Sequence, residues 1–340
     1  MFAQRGFPQK AVNLIELLVA GATIARLAAV LRPALSKARQ TAKVKMKIKA
    51  ASQCLNGTSG KGSQYPGGFT LIELLVVMAI MAILAAMLLP ALAMSKDRGQ
   101  GARCLGNLRQ LTTAWLAYTS DNRGYLVSNG GIGQQPSSLT DPSYPEWCPG
   151  LQEIWQDLSA LGSPHNVGGQ WIRKGLLYPY VGNEGVYKCP ADTSTLLANG
   201  LQFPHVRTVS MNCYLGPITP WDNATVQAAC YYTDASMVRP GPAHLFVFID
   251  ENPLSINDAF FICQPTSTRW IDCPASYHNG GSGMSFADGH AQIKRWTDQT
   301  VLGFTGPPNL GSGQDPGIPQ QNPPTDLNWL ESVSSYLKQH

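Results

Sequence analysis

The sequence predicts an α+β protein in which one long N-terminal helix packs on an antiparallel β-sheet with long loops. Two observations support this fold class: an uncharged apolar segment runs from Leu74 to Met94, and the chain after Gly124 consists of short apolar runs separated by Gly, Pro, Asn and Asp. The 33 Gly and 25 Pro among 340 residues favour a loop-rich body over a helical bundle.

The apolar segment is long enough to cross a bilayer. At a rise of about 1.5 Å per residue, its 21 residues match a hydrocarbon core roughly 30 Å thick. Apolar side chains occur on every face, which argues against a buried core helix. We therefore predict a single transmembrane helix at residues 69–95.

The helix is predicted to continue as an amphipathic extension, residues 96–122. Apolar side chains recur there at alternating spacings of four and three residues, which places them on one helical face: Cys104, Leu108, Leu111, Trp115 and Tyr118. The cluster Asp121-Asn122-Arg123-Gly124 is predicted to end the helix.

The remaining chain is predicted to form a β-rich globular body, residues 123–302, then a Gly/Pro-rich linker, 303–325, and a short C-terminal helix within 326–340. Thr325 or Asp326 is expected to cap that last helix. Four apolar runs are predicted as strands of the body: Val186–Pro190, Val206–Leu215, His244–Ile249 and Ala259–Cys263.

The charges are segregated along the chain. Residues 1–68 contain 11 Lys/Arg and a single acid, Glu16, whereas residues 69–340 contain 14 Lys/Arg and 20 Asp/Glu. If the first part is a leader that is removed, the remaining protein is mildly acidic. This balance argues against nucleic acid as its main partner.

A sequence signature joins the basic leader to the apolar segment: Gly68-Phe69-Thr70-Leu71-Ile72-Glu73-Leu74-Leu75. Cleavage between Gly68 and Phe69 creates an α-amino group four residues from Glu73. Such a cation can pair with the Glu73 carboxylate of a neighbouring subunit, because an ionised acid at a membrane boundary is costly unless it is paired.

The signature resembles the processing and methylation signal of type IV pilins and type II secretion pseudopilins. The resemblance implies cleavage by prepilin peptidase after Gly68, N-methylation of Phe69 and a role for Glu73 in assembly. The further partners it implies are other pilin or pseudopilin subunits and an inner-membrane assembly platform with its ATPase. It also implies a single-pass inner-membrane protein with a periplasmic C-terminal body, which enters a filament or pseudopilus after assembly.

The first 68 residues depart from the family pattern. Asn13–Arg39 is a degenerate repeat of Thr70–Lys96, with Lys10-Ala11-Val12 where the second copy has Gly67-Gly68-Phe69. Two explanations are open: a duplicated or fused prepilin start, or a start codon placed too far upstream, with Met46 as the alternative start.

A second signature lies near the end of the body: His278 followed, after nine residues, by Asp288-Gly289. It resembles the H-X9-DG motif of a prepilin family. Asn279-Gly280-Gly281 is predicted as a turn and Asp288-Gly289 as a hairpin turn between strands Met284–Ala287 and Ala291–Trp296.

No catalytic residue is predicted. His278 and Asp288 with Ser282 or Ser285 as nucleophile are disfavoured, because no Gly-x-Ser-x-Gly elbow occurs in the sequence.

No cofactor is expected, with Ca²⁺ as the alternative. Oxygen ligands suit that ion, and four weak candidate ligands are available: Asp250, Glu251, Asp258 and Asp288. No Cys-x-x-Cys pair or Cys/His cluster with zinc spacing occurs, which argues against a structural zinc site. The eight cysteines permit disulfides in an oxidising compartment, for example Cys213–Cys230 or Cys263–Cys273.

The sequence thus predicts a non-enzymatic structural subunit of a type IV pilus or type II secretion pseudopilus. The alternative is a membrane-anchored glycan- or metal-binding protein, or a hydrolase, that uses a prepilin-type export signal. Its aromatic platforms for carbohydrate would be Trp147, Trp155, Trp171 and Trp221.

Overall fold

The structure is a computed structural model of the chain and describes residues 71–129, 146–149, 169–198, 201–217, 228–256, 258–265, 269–304, 318–319 and 325–338. The predicted leader 1–68, its degenerate repeat and the predicted cleavage site Gly68-Phe69 lie outside the described residues. The chain divides into two units, Met1–Ala91 and Leu92–His340.

Helix α1 spans Leu71–Asp121 and contains Pro90. The sequence predicts one helix from 69 to 122; residues 69 and 70 lie outside the described part of the chain, and α1 ends at Asp121. It ends where the turn residues begin, because Arg123 and Gly124 adopt the left-handed backbone conformation, with φ of 58° and 84°. The Gly124 N–H then donates to the Thr119 carbonyl at 2.9 Å, which satisfies one of the acceptors that a helix end leaves open.

The second unit contains short helices and strands in addition to the C-terminal part of α1. The further helices are α2 Gln170–Lys174, α3 Tyr178–Val181, α4 Gln299–Leu302 and α5 Thr325–Ser332, with 3-10 helices at Glu184–Tyr187 and Asp234–Ser236. The strands are β1 Thr195–Ala198, β2 Leu201–Pro204, β3 Val209–Asn212, β4 Phe246–Asp250, β5 Phe260–Phe261, β6 Arg269–Trp270, β7 Gly281–Phe286, β8 Ala291–Arg295 and β9 Ile318–Pro319.

The main sheet has five strands in the order β5-β3-β4-β7-β8. Three of its four pairings are antiparallel, and β3 with β5 is parallel. The predicted α+β class is confirmed, with a sheet that is mixed and not purely antiparallel. Two small antiparallel pairs, β1-β2 and β6-β9, accompany it.

Each face of the main sheet carries its own hydrophobic core. The first core packs the C-terminal part of α1 against one face, and the predicted apolar stripe forms the helix side of it, with Leu108, Leu111 and Trp115 fully buried. The second core lies on the opposite face, where Leu327 and Leu330 of α5 cover it. Burial of such side chains contributes about 1.5–3 kcal/mol each, so the two cores hold the sheet between α1 and α5.

An irregularity in β4 decides which of its side chains face α1. The register against β7 shifts between Phe246 and Phe248. Phe246 therefore joins the second core, whereas Phe248 belongs to the core beneath α1, and Asp250 lies two residues further on the same face as Phe248. The bulge thus directs the carboxylate of Asp250 towards the helix.

Two predicted elements differ from the structure. The predicted strand Val186–Pro190 begins inside a 3-10 helix, because the Asn183 side chain accepts a hydrogen bond from the Gly185 N–H and caps that helix locally. The segment 303–325, predicted as a linker, contains β9, which pairs with β6.

Candidate functional site

The first candidate functional feature is the apolar surface of the N-terminal part of α1. Its large apolar side chains between Leu71 and Met94, apart from the half-buried Leu75, are exposed at 42–69% of their maximum, on all sides of the helix. Among the described residues, α1 is the one helix long and apolar enough to cross a membrane, on the criteria of length and composition. A surface of this kind needs lipid or other apolar helices around it.

Glu73 is the acidic residue in the first turn of α1. Backbone N–H groups without intrahelical acceptors and the positive end of the helix dipole favour a carboxylate there. Its neighbours Ile72, Leu74 and Val76 are exposed apolar side chains. The carboxylate therefore interrupts an otherwise apolar surface close to the predicted new N-terminus.

The His and the Asp-Gly of the second signature occupy opposite ends of strand β7. The His278 N–H donates to the Gly281 carbonyl at 3.0 Å, across a turn in which Asn279 and Gly280 have φ of 54° and 78°. Gly289, with φ of 94°, forms the predicted hairpin turn between β7 and β8.

Asp288 belongs to that hairpin turn. Its Oδ1 accepts a hydrogen bond from the His290 N–H at 3.1 Å and lies 2.6 Å from His290 Nδ1. Partial burial raises the pKa of Asp288, but the hydrogen bonds and the charge of His290 outweigh it and lower that pKa overall. Asp288 is therefore a turn residue paired with His290, and His278 has other neighbours.

Those neighbours form the second candidate site, a buried group of four side chains that we call the cysteine cluster: Cys104, Cys189, Asp250 and His278. None of the four is more than 3% exposed. One ligand atom from each residue lies within 4.8 Å of the others. The Cys104 thiol donates to Asp250 Oδ2 at 2.8 Å, and Cys189 Sγ lies 3.3 Å from His278 Nε2.

Each member of the cysteine cluster comes from a different segment. Cys104 is on the buried face of α1, and Asp250 is at the end of β4. Cys189 begins the turn that closes with the hydrogen bond from the Asp192 N–H to the Cys189 carbonyl, 3.1 Å. His278 precedes β7, so the cluster ties the second signature to the helix.

Gly283 of β7 permits this close approach. A Cβ at this position would lie 2.7 Å from Cys104 Sγ and Leu108 Cδ1 and 2.9 Å from Asp250 Oδ2. The Gly283 N–H also donates to Asp250 Oδ2 at 3.2 Å. Only a residue without a side chain fits between the helix and the strand here.

Hydrogen bonds and burial set the protonation of Cys104, Asp250 and His278. Burial raises the pKa of Asp250 to about 6, although hydrogen bonds from Cys104 and Gly283 oppose the shift. The hydrogen bond with Cys189, burial and the Asp250 charge all raise the pKa of Cys104. Burial lowers the pKa of His278, against the nearby Asp97. The metal-free cluster therefore favours protonated Cys104 and neutral His278.

Two polar atoms of the cluster lack hydrogen bonds. Asp250 Oδ1 and His278 Nδ1 are buried, and no described residue provides a partner for either. Buried polar atoms without partners are rare and costly, so they mark a place where another group is expected.

The weak calcium candidates other than Asp250 lie elsewhere. Glu251 follows Asp250 in the chain and so lies on the opposite side of the strand, where it accepts hydrogen bonds from Ser210 at 2.5 Å and Ser255 at 2.9 Å. Asp258 Oδ1 accepts from the Phe260 N–H at 3.1 Å. In the described part of the chain these carboxylates do not form one ligand group with Asp250.

The cysteine cluster has no short ligand spacing in the sequence, so it does not show the pattern by which metal sites are predicted. Here the ligands are brought together by the fold from four distant segments. The available signals were indirect: Cys104 on the apolar helix face, and His278 in a signature whose role was open. All seven described cysteines are free thiols, so neither Cys213–Cys230 nor Cys263–Cys273 forms a disulfide in this structure.

The serines considered as nucleophiles point to opposite sides of β7. Ser282 Oγ accepts a hydrogen bond from Trp296 Nε1 at 3.2 Å, and Ser285 Oγ accepts one from Thr112 at 2.7 Å. Neither has His278 as a hydrogen-bond partner in the described structure.

Two tryptophans proposed as carbohydrate platforms are buried. Trp147 is fully buried and Trp171 is 5% exposed, so neither offers a ring face to a glycan. Trp155 and Trp221 lie outside the described residues.

A comparison with known protein families finds a match in the N-terminal region of the chain. Residues 65–89 match the family described as the prokaryotic N-terminal methylation motif. The type II secretion system core protein G of Klebsiella michiganensis is 35% identical over 78 residues, which cover 23% of this chain and 53% of that protein. This chain thus spans about half the length of that relative.

Two further relatives come from other bacteria. The type IV wide pilus major component PilA4 of Thermus thermophilus is 36% identical over 78 residues, 22% of this chain and 60% of that protein. The prepilin peptidase-dependent protein A of Clostridium perfringens is 48% identical over 128 residues, 35% of this chain and 89% of that protein. No solved structure matches the chain.

These similarities confirm the resemblance inferred from the signature at Gly68-Phe69. The chain belongs to the family of type IV pilin-like proteins and type II secretion pseudopilins. The exposed apolar N-terminal part of α1, followed by an α+β body, fits a membrane-anchored member of that family.

Proposed function

We propose that this protein is a non-enzymatic structural subunit of a type IV pilus or type II secretion pseudopilus. Prepilin peptidase cleaves it after Gly68, Phe69 is N-methylated, and subunits stack through the N-terminal part of α1. The observation that carries this proposal is the exposed apolar surface from Leu71 to Met94, interrupted by the single carboxylate of Glu73.

The apolar surface explains where the subunit is stable both before assembly, in the membrane, and after assembly, in the filament. Each large apolar side chain gains about 1.5–3 kcal/mol when it leaves water, so the set as a whole requires continuous apolar surroundings. Before assembly the bilayer provides them. In the filament the same helices of neighbouring subunits provide them, with van der Waals packing in place of lipid contact.

Glu73 sets the register between neighbouring subunits. Among apolar helices its carboxylate is costly unless a cation pairs with it. The new N-terminal amino group at Phe69 of the next subunit is that cation. Removal of Glu73 therefore impairs stacking without affecting the peptidase site at Gly68.

The body supports a structural role over catalysis. His278, Ser282 and Ser285 each have separate packing partners. The cysteine cluster is closed to solvent and leaves no exposed position for a substrate. The partners of the subunit are prepilin peptidase, other pilin or pseudopilin subunits and an inner-membrane assembly platform with its ATPase, and the body faces the periplasm.

The test compares variants of the full chain in a host with the assembly machinery. Gly68→Glu is expected to block cleavage, which leaves a heavier precursor in the membrane. Glu73→Val is expected to be cleaved normally but to be absent from sheared filaments or cross-linked pseudopilus fractions. Glu184→Gln, which changes a half-buried carboxylate of the body that pairs with Arg173, is the matched control and should assemble.

Normal incorporation of Glu73→Val alongside wild type would contradict the register role. Normal cleavage of Gly68→Glu would contradict the assigned processing site. Each result addresses one part of the proposal, since Glu73→Val retains the cleavage site and Gly68→Glu retains the Glu73 carboxylate.

A further inference from the structure

We propose that the cysteine cluster binds one zinc ion, with Cys104, Cys189, Asp250 and His278 as its four ligands. The ion fastens α1 to the sheet and to the turn that begins at Cys189. This assignment gives the His of the second signature a chemical role that is separate from the hairpin role of Asp288-Gly289.

The donor set fits zinc in number and type. Structural zinc sites are tetrahedral and use cysteine sulfur, histidine nitrogen and carboxylate oxygen. Calcium and magnesium prefer sites made of oxygen atoms alone, so two thiolates argue against both ions. Four protein ligands complete the coordination shell, which makes the site structural and leaves no open position for a reacting water.

The distances fit as well. Zinc lies about 2.3 Å from sulfur and about 2.0–2.2 Å from nitrogen or oxygen, so ligand atoms on a tetrahedron are about 3.3–3.8 Å apart. The observed separations are 2.8 Å for Cys104 Sγ to Asp250 Oδ2 and 3.3 Å for Cys189 Sγ to His278 Nε2, and all four atoms lie within 4.8 Å. Side-chain movements of about 1 Å therefore convert the hydrogen-bonded arrangement into a coordination shell.

The polar atoms without partners point to the same conclusion. Asp250 Oδ1 is fully buried and has no hydrogen-bond partner among the described residues, which is a costly state for a carboxylate. A cation next to this carboxylate removes that cost. Binding displaces the protons of the two thiols to solvent and leaves Asp250 ionised and His278 neutral, so three anionic ligands outweigh the doubly charged ion and the loaded site carries one net negative charge.

Zinc binding is coupled to folding in this arrangement. The four ligands come from α1, the turn after a 3-10 helix, the end of β4 and the turn before β7. They meet only when α1 lies on the sheet, so the binding free energy stabilises that packing. Gly283 is required for the same reason, because a Cβ there would occupy space that Cys104 and Asp250 use.

The experiment uses the full chain purified from membranes in detergent, reduced and stripped with a chelator. Titration with Co²⁺ should show one ion per chain, with the intense visible bands of tetrahedral cobalt and a thiolate charge-transfer band, and Zn²⁺ should displace it. Cys189→Ser and Asp250→Asn should weaken binding by more than the roughly 10- to 100-fold that changes outside the ligand shell cause.

Two matched controls retain the cluster. Cys148→Ser changes another buried cysteine, and His290→Ala changes the exposed histidine of the same hairpin. Both should bind Co²⁺ as wild type does. Weakening of the same size in these controls would overturn the assignment, as would wild-type protein that takes up no stoichiometric metal.

One further measurement needs no variant and so does not depend on variant folding. X-ray absorption of the zinc-loaded wild type should show two sulfur ligands at about 2.3 Å and two nitrogen or oxygen ligands at about 2.0–2.2 Å. A shell of oxygen and nitrogen alone would overturn the proposal. So would a peptide map that shows a Cys104–Cys189 disulfide in protein isolated without reductant, since those sulfurs could not then be thiolate ligands.

Discussion

Replacement of Gly283 by alanine tests the close packing of α1 on the sheet. The new Cβ would lie 2.7 Å from Cys104 Sγ and Leu108 Cδ1, against an optimal separation of about 3.5–4.0 Å between carbon atoms. Since these neighbours are buried and belong to a helix, α1 must move by about 1 Å or β7 must distort. Overpacking of this kind costs about 1–3 kcal/mol, and we expect the upper half of that range.

Gly106→Ala is the matched control on the helix itself. A Cβ at Gly106 meets nothing within 4 Å, so the substitution adds no strain. In a helix interior alanine is more favourable than glycine by about 0.8–1.0 kcal/mol. The same chemical change is therefore expected to destabilise the protein at residue 283 and to stabilise it at residue 106.

The assay is urea unfolding of the detergent-solubilised protein, followed by tryptophan fluorescence, since Trp115 of α1 is fully buried in the core between the helix and the sheet. The chelated protein is used, so that metal binding does not contribute to the measured stability. Gly283→Ala with wild-type stability would refute the packing of α1 against β7. Destabilisation of Gly106→Ala by a similar amount would show that the helix, and not the contact, is responsible.

Three further predictions concern buried groups of the body. Leu111→Ala should lower the free energy of unfolding in urea by about 2–5 kcal/mol, because it leaves a cavity in the core beneath α1, whereas the exposed Leu116→Ala should change it by about 0.5 kcal/mol or less. Burial raises the pKa of Glu251 from 4.5 to about 8, so the stability contributed by the protonated carboxyl is complete below pH 4.5 and is lost as the pH rises towards 8. In Glu251→Gln the melting temperature should therefore change less with pH over this range. A melting temperature that falls with pH as steeply as in wild type would contradict the assignment. Burial opposes ionisation of Asp326, but hydrogen bonds from the backbone of Thr297 and Asp298 outweigh it and lower the pKa of Asp326 below 3.8. Asp326→Ala should therefore lower the unfolding free energy by about 1.5–3 kcal/mol at neutral pH. It should also remove the loss of stability that the lowered pKa predicts for wild type at acid pH; equal acid sensitivity of both proteins would refute this role.

The parts of the fold that were predicted from sequence are those that depend on local spacing. Helix α1 and its buried face follow from apolar residues at helical intervals, and its end follows from Gly124, which adopts a left-handed conformation that disfavours most residues. The β7-β8 hairpin follows from Asp288-Gly289 for the same reason.

The parts that were missed depend on contacts between distant segments. Strand β5 has two residues, and its parallel pairing with β3 has no local signal. The bulge that turns Asp250 towards α1 is a property of the pairing with β7 and not of the β4 sequence. The cysteine cluster needs both features and the absence of a side chain at Gly283, so no short sequence pattern could indicate it.

The intact mass of the protein extracted from its native membrane tests the central proposal most directly. The proposal predicts a chain that begins at Phe69, carries one methyl group on the new amino terminus and lacks residues 1–68. A chain that retains any part of the leader region, or that begins elsewhere without methylation, would contradict the assignment of this protein as a processed pilin-like subunit.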